Sequence, residues 1–118
     1  GLDYRKDVRG EDLNLPELKR LEMARALATE PSLLLLDEVM AGLNPVDCQG
    51  VVELIKKIRD TGMSIILIEH VMKAVMTLSD RVYVLNQGEL IAQGTVKEVT
   101  ENPAVIASYL GERKHAEA

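Results

Sequence analysis

Four consecutive leucines ending in two adjacent carboxylates are the feature that most restricts how this chain folds. Residues 33–36 are all leucine, and Asp37 and Glu38 follow at once. A short, continuous apolar run is typical of a parallel strand that is buried on both faces. In open α/β sheets the functional groups lie beyond the carboxyl ends of the strands. We therefore expect a buried strand whose two terminal acids stand at a functional edge.

A second apolar run, residues 64–68, also ends in polar side chains, here Glu69 and His70. Between the two runs, residues 46–60 carry apolar side chains at helical spacing. A strand, a helix and a second fully apolar strand are the signature of a βαβ unit with a parallel sheet. The sequence thus predicts that both strands deliver their terminal polar groups to one edge.

The remaining elements are predicted from caps, spacing and turn residues, and together they indicate an α/β fold. They are a helix over 16–29 that starts after Asn14, a short helix over 71–78, antiparallel strands at 81–85 and 89–94 joined by a tight turn, and a helix over 103–110. The expected apolar stripe of the first helix is Leu18, Leu21, Ala24, Leu27 and Ala28.

Composition excludes several classes of protein. The net charge of −5, with no long basic run, argues against a nucleic-acid partner. Cys48 is the single cysteine, so an intrachain disulfide is impossible, and we interpret it as an isolated thiol rather than a nucleophile. No apolar run is long enough for a membrane span, so a cytoplasmic protein is expected.

Adjacent acids at a strand end suit work on a divalent metal ion. Mg²⁺ takes one or two carboxylate oxygens together with water and phosphate oxygens, and a second acid is then free to act as a general base. A histidine on the neighbouring strand is placed to contact a phosphoryl group. Spacing alone leaves this reading open beside a simpler one, in which these are solvated polar residues at strand ends.

Five stretches resemble, in order and spacing, the ATP-binding subunit of ABC transporters, and residues 92–111 resemble its branched-chain amino acid branch. The five stretches are residues 18–28, 33–38, 41–45, 66–70 and 79–88. The resemblance implies the C-terminal part of a P-loop NTPase domain over residues 13–111, with parallel strands, crossover helices and a C-terminal antiparallel hairpin. Residues 1–12 are then a flexible arm or a remnant of an upstream helical subdomain, and residues 112–118 a frayed tail.

The resemblance also implies roles for individual residues. Asp37 matches the aspartate that holds Mg²⁺ through water, Glu38 the glutamate that activates the attacking water, and His70 the histidine that senses the γ-phosphate of ATP. Gly42 and Asn44 fall on the loop that crosses the interface between two ATP-binding subunits. The family more often has aspartate at the position of Asn44, so this chain keeps a hydrogen-bonding group there but lacks the charge.

Residues 13–17 fall where the family carries its glycine-rich signature, which contacts the γ-phosphate held by the partner subunit at a helix N-terminus. Asn14 stands for the usual serine, whereas Leu15 and Pro16 replace glycines, and Pro16 has no N–H to donate. Glu17 adds negative charge near a phosphate. The alternative is that this stretch only caps a helix.

The chain contains no Gly-Lys pair, and so no Gly-x-x-x-x-Gly-Lys phosphate loop. We expect the chain alone neither to bind ATP tightly nor to hydrolyse it, and we expect exposed strand faces to cause self-association. In the full-length context the implied partners are a second ATP-binding subunit and transporter membrane subunits, at the inner face of the cell membrane. A non-catalytic α/β binding or regulatory module remains the alternative. A stand-alone metal-dependent phosphatase or receiver-like domain needs more strand-end acids, and Asp80 is the only further candidate.

Overall fold

The computed structural model describes residues 2–110, apart from the side chain of Leu110. The chain divides into two compact units, residues 1–74 and residues 75–118, and the division falls inside one helix. Each unit is described by itself. The expected tail after residue 111 lies outside the described residues.

The first unit contains the predicted βαβ element. Strand β1 (Leu33–Asp37) is followed by helix α2 (Pro45–Asp60) and strand β2 (Ser64–Ile68). The two strands pair in parallel, with Leu33 opposite Ser64 and Asp37 opposite Ile68. Helix α2 buries Val51, Ile55 and Ile58 of the predicted stripe, together with Val52, whereas Leu54 of that stripe is half-buried. Gly62, at a φ of +93°, then reverses the chain after the helix. The prediction of a parallel βαβ unit is confirmed.

The expectation that β1 is buried on both faces is wrong for this chain. Leu34 and Leu36 are buried, whereas Leu33 and Leu35 are 46% and 67% exposed. On β2, Ile66 and Ile68 are also more than half exposed. By the strand register, these four exposed side chains stand on one face of the sheet. We call this surface, formed by Leu33, Leu35, Ile66 and Ile68, the open sheet face.

Helix α1 (Leu15–Leu27) precedes the sheet and begins two residues after Leu13. The prediction of its cap was right, but the prediction of its buried stripe was wrong. Met23 is its buried apolar side chain, at 2% exposure, while Ala24 and Ala28 are exposed. Met23 lines a small cavity with Leu36 and Val39, so the packing of α1 against the end of β1, and not helix periodicity, selects the buried face.

Residues 2–12 contain two short 3₁₀ turns, Asp3–Arg5 and Gly10–Asp12. Helix α3 (Met72–Leu78) runs across the division between the two units. None of the described helices is long and apolar enough to cross a membrane.

The second unit is built on the predicted antiparallel hairpin of β3 (Val82–Asn86) and β4 (Glu89–Gly94). Gln87 and Gly88 connect the strands with positive φ angles, as tight hairpin turns require. Helix α4 (Val96–Thr100) is capped by Thr95, and α5 (Pro103–Val105) continues as a π-helical turn over Ile106–Leu110. Val84, Val99 and Val105 form the buried core of this unit.

Candidate functional site

The carboxyl ends of β1 and β2 carry the polar residues that the sequence predicted for one edge. Asp37 pairs with Ile68 in the strand register, and the backbone N–H of Glu38 donates to the Ile68 carbonyl at 2.8 Å. The two strands end at paired residues, so Glu69 and His70, which follow β2, lie at the same edge of the sheet as Glu38, which follows β1. The structure brings all four polar residues of this edge together.

Glu38 and His70 are in direct contact. Nδ1 of His70 lies 3.3 Å from Oε1 of Glu38, and the two side chains are 68% and 53% exposed, respectively. Glu38 has a φ of +49°, a left-handed conformation that costs a non-glycine residue free energy and occurs in turns and at functional sites. The backbone turns sharply at this residue and holds an accessible carboxylate beside an accessible imidazole.

Asp37, the last residue of β1, is exposed at the same edge. Among residues 2–110, no group of three or more acidic, histidine or cysteine side chains is arranged to hold a metal ion. A single carboxylate is nevertheless a suitable protein contribution for Mg²⁺, which usually retains several waters and binds phosphate oxygens. The donor chemistry of Asp37 thus fits the role that the resemblance implies.

The loop after Glu38 is fixed at both ends. Val39 and Met40 are buried, and the Asn44 side chain accepts a hydrogen bond of 2.8 Å from the Asp47 N–H, which caps helix α2. Gly42, between these anchors, has a φ of +79° that favours glycine. The uncharged side chain of Asn44 therefore performs a helix-capping task.

Gly42 lies against the start of helix α1. A Cβ atom on Gly42 would stand 3.0 Å from Cδ2 of Leu15, which is closer than side chains usually pack. The first turns of α1 and α2 also line a common groove. The residues that line it are Tyr4, Asn14, Pro16, Glu17, Arg20, Val46, Asp47, Gly50 and Val51. The structure thus brings together the two stretches, 14–17 and 42–44, that the resemblance places at a subunit interface.

Glu17 turns inward rather than toward this groove's mouth. Its Oε1 accepts a 3.0 Å hydrogen bond from the Asn14 N–H, while the Glu17 N–H donates to Asn14 Oδ1 at 3.0 Å, a reciprocal capping box. The Tyr4 hydroxyl donates to Oε2 at 2.9 Å, and Arg5 Nε lies 2.8 Å from the same oxygen. The Arg5 Nε–H is not aligned as a hydrogen bond, but Arg5 Nη2 donates to Glu17 Oε1 at 3.3 Å, so a hydrogen bond and charge together hold the pair. Glu17 is only 5% exposed.

These contacts set the titration of two groups. The Asn14 N–H, acting against burial and helped by Tyr4 and Arg5, holds the pKa of the Glu17 carboxyl below its ordinary value. The hydrogen bond to Glu17 raises the pKa of the Tyr4 hydroxyl, because the phenol proton is shared with a carboxylate. Glu17 is therefore an ionised capping residue whose charge Arg5 neutralises, and the expected repulsion of a phosphate is reduced.

Sequence reasoning did not find Tyr4 and Arg5, which lie in a stretch without hydrophobic periodicity. Their partner is twelve or thirteen residues further along the chain, and no local pattern encodes such a contact. The sequence also placed Glu69 and His70 together at the end of a strand and gave a role to His70 alone; it did not predict that the Glu69 side chain is fully buried while the His70 side chain is mostly exposed.

Comparison with known proteins relates the chain to the ATP-binding proteins of transporters. A sequence model of the family described as branched-chain amino acid ATP-binding cassette transporter matches residues 89–115. The chain is 46% identical over 113 residues to LivG of Salmonella typhimurium, a high-affinity branched-chain amino acid transport ATP-binding protein. That alignment covers 95% of this chain and 44% of LivG. The chain is also 47% identical over 95 residues to BraF of Pseudomonas aeruginosa, in an alignment that covers 80% of this chain and 37% of BraF. The chain spans less than half the length of these relatives.

Solved structures show the same likeness. A nucleotide-free ATP-binding cassette from an ABC transporter superposes with a TM-score of 0.80 at 28% identity, over 89% of this chain and 43% of the other. The cbiO1 protein of Clostridium perfringens, part of an ABC transporter complex, superposes with a TM-score of 0.76 at 30% identity, over 98% and 47%. The fold is that of the C-terminal part of an ATP-binding cassette domain. Within that class, its sequence likenesses include relatives of the branched-chain amino acid type.

Proposed function

We propose that this chain carries the hydrolytic residues of an ABC transporter ATP-binding subunit, which in its longer form couples ATP hydrolysis to the import of branched-chain or other amino acids. The observation that carries the proposal is the contact of Glu38 with His70 at the ends of two parallel strands, one residue after Asp37. The names of LivG and BraF support the choice of cargo. LptB of Escherichia coli, a lipopolysaccharide export ATP-binding protein at 35% identity, shows that similar domains serve other cargoes.

Each residue of the edge has a chemical task in this proposal. Asp37 would hold Mg²⁺ through water with its exposed carboxylate, and the bound ion supplies positive charge for the phosphate oxygens. Glu38 accepts a proton from the attacking water at a carboxylate oxygen. His70, with Nδ1 beside Glu38, directs its Nε2 toward the γ-phosphoryl group.

The start of helix α1 would contact the γ-phosphate that the partner subunit holds. The capping box uses the Asn14 N–H and the Glu17 N–H, and Pro16 has no N–H, so the Leu15 N–H and the amide NH₂ of Asn14 are the donors that remain. Because Glu17 points inward and pairs with Arg5, its charge opposes this contact less. Gly42 and Asn44 would carry the adjacent loop across the same interface.

The proposed partners follow from the same likeness. They are a second ATP-binding subunit, which completes two sites across the interface, and the membrane subunits of the transporter. The assembled subunit would lie at the cytoplasmic face of the membrane. The open sheet face of Leu33, Leu35, Ile66 and Ile68 is the surface through which the chain by itself would self-associate.

Replacing Glu38 by glutamine in the longer protein tests the proposal. The substitution keeps the shape of the side chain but removes the proton acceptor, so we expect ATP to be bound and retained without turnover. Glu30→Gln is the matched control, because Glu30 is also an exposed acid at a positive φ of 54° but lies outside this edge. Turnover by Glu38→Gln equal to that of Glu30→Gln would favour the non-catalytic binding or regulatory module instead.

A further inference from the structure

Glu69 is a buried acid that the proposed reaction does not use. Its side chain is fully buried, although the next residue, His70, has a side chain that is 68% exposed. Oε1 of Glu69 accepts hydrogen bonds from the His70 N–H at 3.1 Å and from the Val71 N–H at 3.4 Å. Oε2 is buried and has no hydrogen-bond partner within residues 2–110. One carboxylate oxygen therefore holds the backbone at the end of β2, and the other is unsatisfied.

Oε1 of Glu69 also lies near the imidazole of His70. Nδ1 of His70 is 3.7 Å from Oε1 of Glu69 and 3.3 Å from Oε1 of Glu38. Oxygens of two carboxylates therefore lie beside the same ring nitrogen. The orientation of the ring is thus defined from two sides, by an exposed acid and by a buried one.

The negative charge of Glu69 also affects a side chain of helix α2. Burial and, after it, the negative charge of Glu69 raise the pKa of the Cys48 thiol. Cys48 itself contacts the carbonyls of Met40 and Leu43, in the loop that follows Glu38. The charge of Glu69 thus acts on a thiol of helix α2 that contacts the loop after Glu38.

A buried carboxylate with an unsatisfied oxygen costs stability, and a turn at the end of a strand does not require one. Buried polar groups without partners are rare in folded proteins, so each one calls for an explanation. A residue that serves the fold alone would stabilise it, whereas Glu69 is expected to cost the fold free energy.

We propose that Glu69 is a positioning residue, which fixes His70 by holding the main-chain amides of residues 70 and 71 and by flanking Nδ1 of the imidazole. The inference rests on the proposed function for its effect on hydrolysis. Its structural part, the fixing of the two amides, is independent of that function and is tested separately.

The first measurement is ATP turnover by the assembled transporter that carries the longer protein. Loss of a residue that orients a functional histidine typically costs 10- to 100-fold in activity, so Glu69→Ala should lower kcat about tenfold or more with KM for ATP nearly unchanged. Glu69→Gln, which keeps an acceptor oxygen, should retain more activity, and neither variant should lower Tm. Glu89→Ala, at an exposed acid of the hairpin, is the control.

A double-mutant comparison separates positioning from a general structural role. If Glu69 acts through His70, Glu69→Ala should have almost no further effect on turnover once His70→Ala is present. An equal fold-loss in both backgrounds would overturn the inference, as would turnover by Glu69→Ala equal to that of the control.

The second measurement is amide hydrogen exchange at His70 and Val71 in the 118-residue chain, which needs no hydrolysis. Exchange at both amides should accelerate in Glu69→Ala and stay near the parent rate in Glu69→Gln, and unchanged exchange in Glu69→Ala would overturn the inference. Parent-level turnover by His70→Ala would instead contradict the proposed function, while the exchange result would still decide the positioning role.

Discussion

The contact between Gly42 and Leu15 gives a prediction whose size follows from the structure. Gly42→Ala places a Cβ on a residue at φ +79°, and left-handed backbone costs an L-residue about 1–2 kcal/mol. The new methyl would stand 3.0 Å from Leu15 Cδ2, and Leu15 is 42% exposed, so its side chain is able to turn aside at modest cost. Alanine also lowers the conformational entropy of the unfolded chain, which stabilises the fold by about 0.4–1 kcal/mol. We expect a net destabilisation of about 1 kcal/mol.

Urea unfolding of the purified chain measures this loss. With a slope of about 2 kcal/mol per molar urea, a loss of about 1 kcal/mol lowers the unfolding midpoint by about 0.5 M. Gly62→Ala is the matched control, since Gly62 has a similar φ of +93° and nothing within 4 Å of the added Cβ. The difference between the two variants isolates the Leu15 contact. An excess loss in Gly42→Ala that persists in a Leu15→Ala background would refute the packing argument, and a midpoint equal to the parent's would refute the backbone argument.

Two further predictions concern Glu17 and the open sheet face. Because the folded-state pKa of Glu17 is lowered, its charge stabilises the fold above the unfolded value of about 4.3 and the stabilisation is lost as the pH falls through the folded value. The difference in free energy of unfolding between the parent and Glu17→Gln, which keeps a capping side chain at this position, should therefore shrink below about pH 4.3; a difference independent of pH would contradict the ion pair. The open sheet face should make the chain self-associate, so Leu35→Lys should lower the sedimentation coefficient, and a parent that sediments as a monomer would contradict this expectation.

The sequence was sufficient for those parts of the fold that local chemistry determines. Helix α2 and both strands of the parallel sheet were predicted because their apolar spacing, the Asn44 cap and the Gly62 stop agree with one another. The approach of Glu38 to His70 was also predictable, since parallel strands deliver their carboxyl ends to one edge.

Features set by contacts distant in sequence were not predictable. Helix α1 buries Met23 because it packs at the end of β1, although the helical pattern predicted that Ala24 and Ala28 would be buried. The inward turn of Glu17 depends on Tyr4 and Arg5, and the exposure of Leu35 depends on what else covers the sheet. Periodicity identifies an apolar side chain but not its neighbour.

We propose that these 118 residues hold the hydrolytic acids and histidine of the site, and they contain no Gly-Lys phosphate-binding loop. Calorimetric titration with ATP and Mg²⁺, run in parallel on this chain and on the longer protein, measures the effect of that missing loop. We expect binding by the longer protein and no binding by this chain at micromolar nucleotide. Micromolar binding of ATP by the chain alone would contradict this expectation.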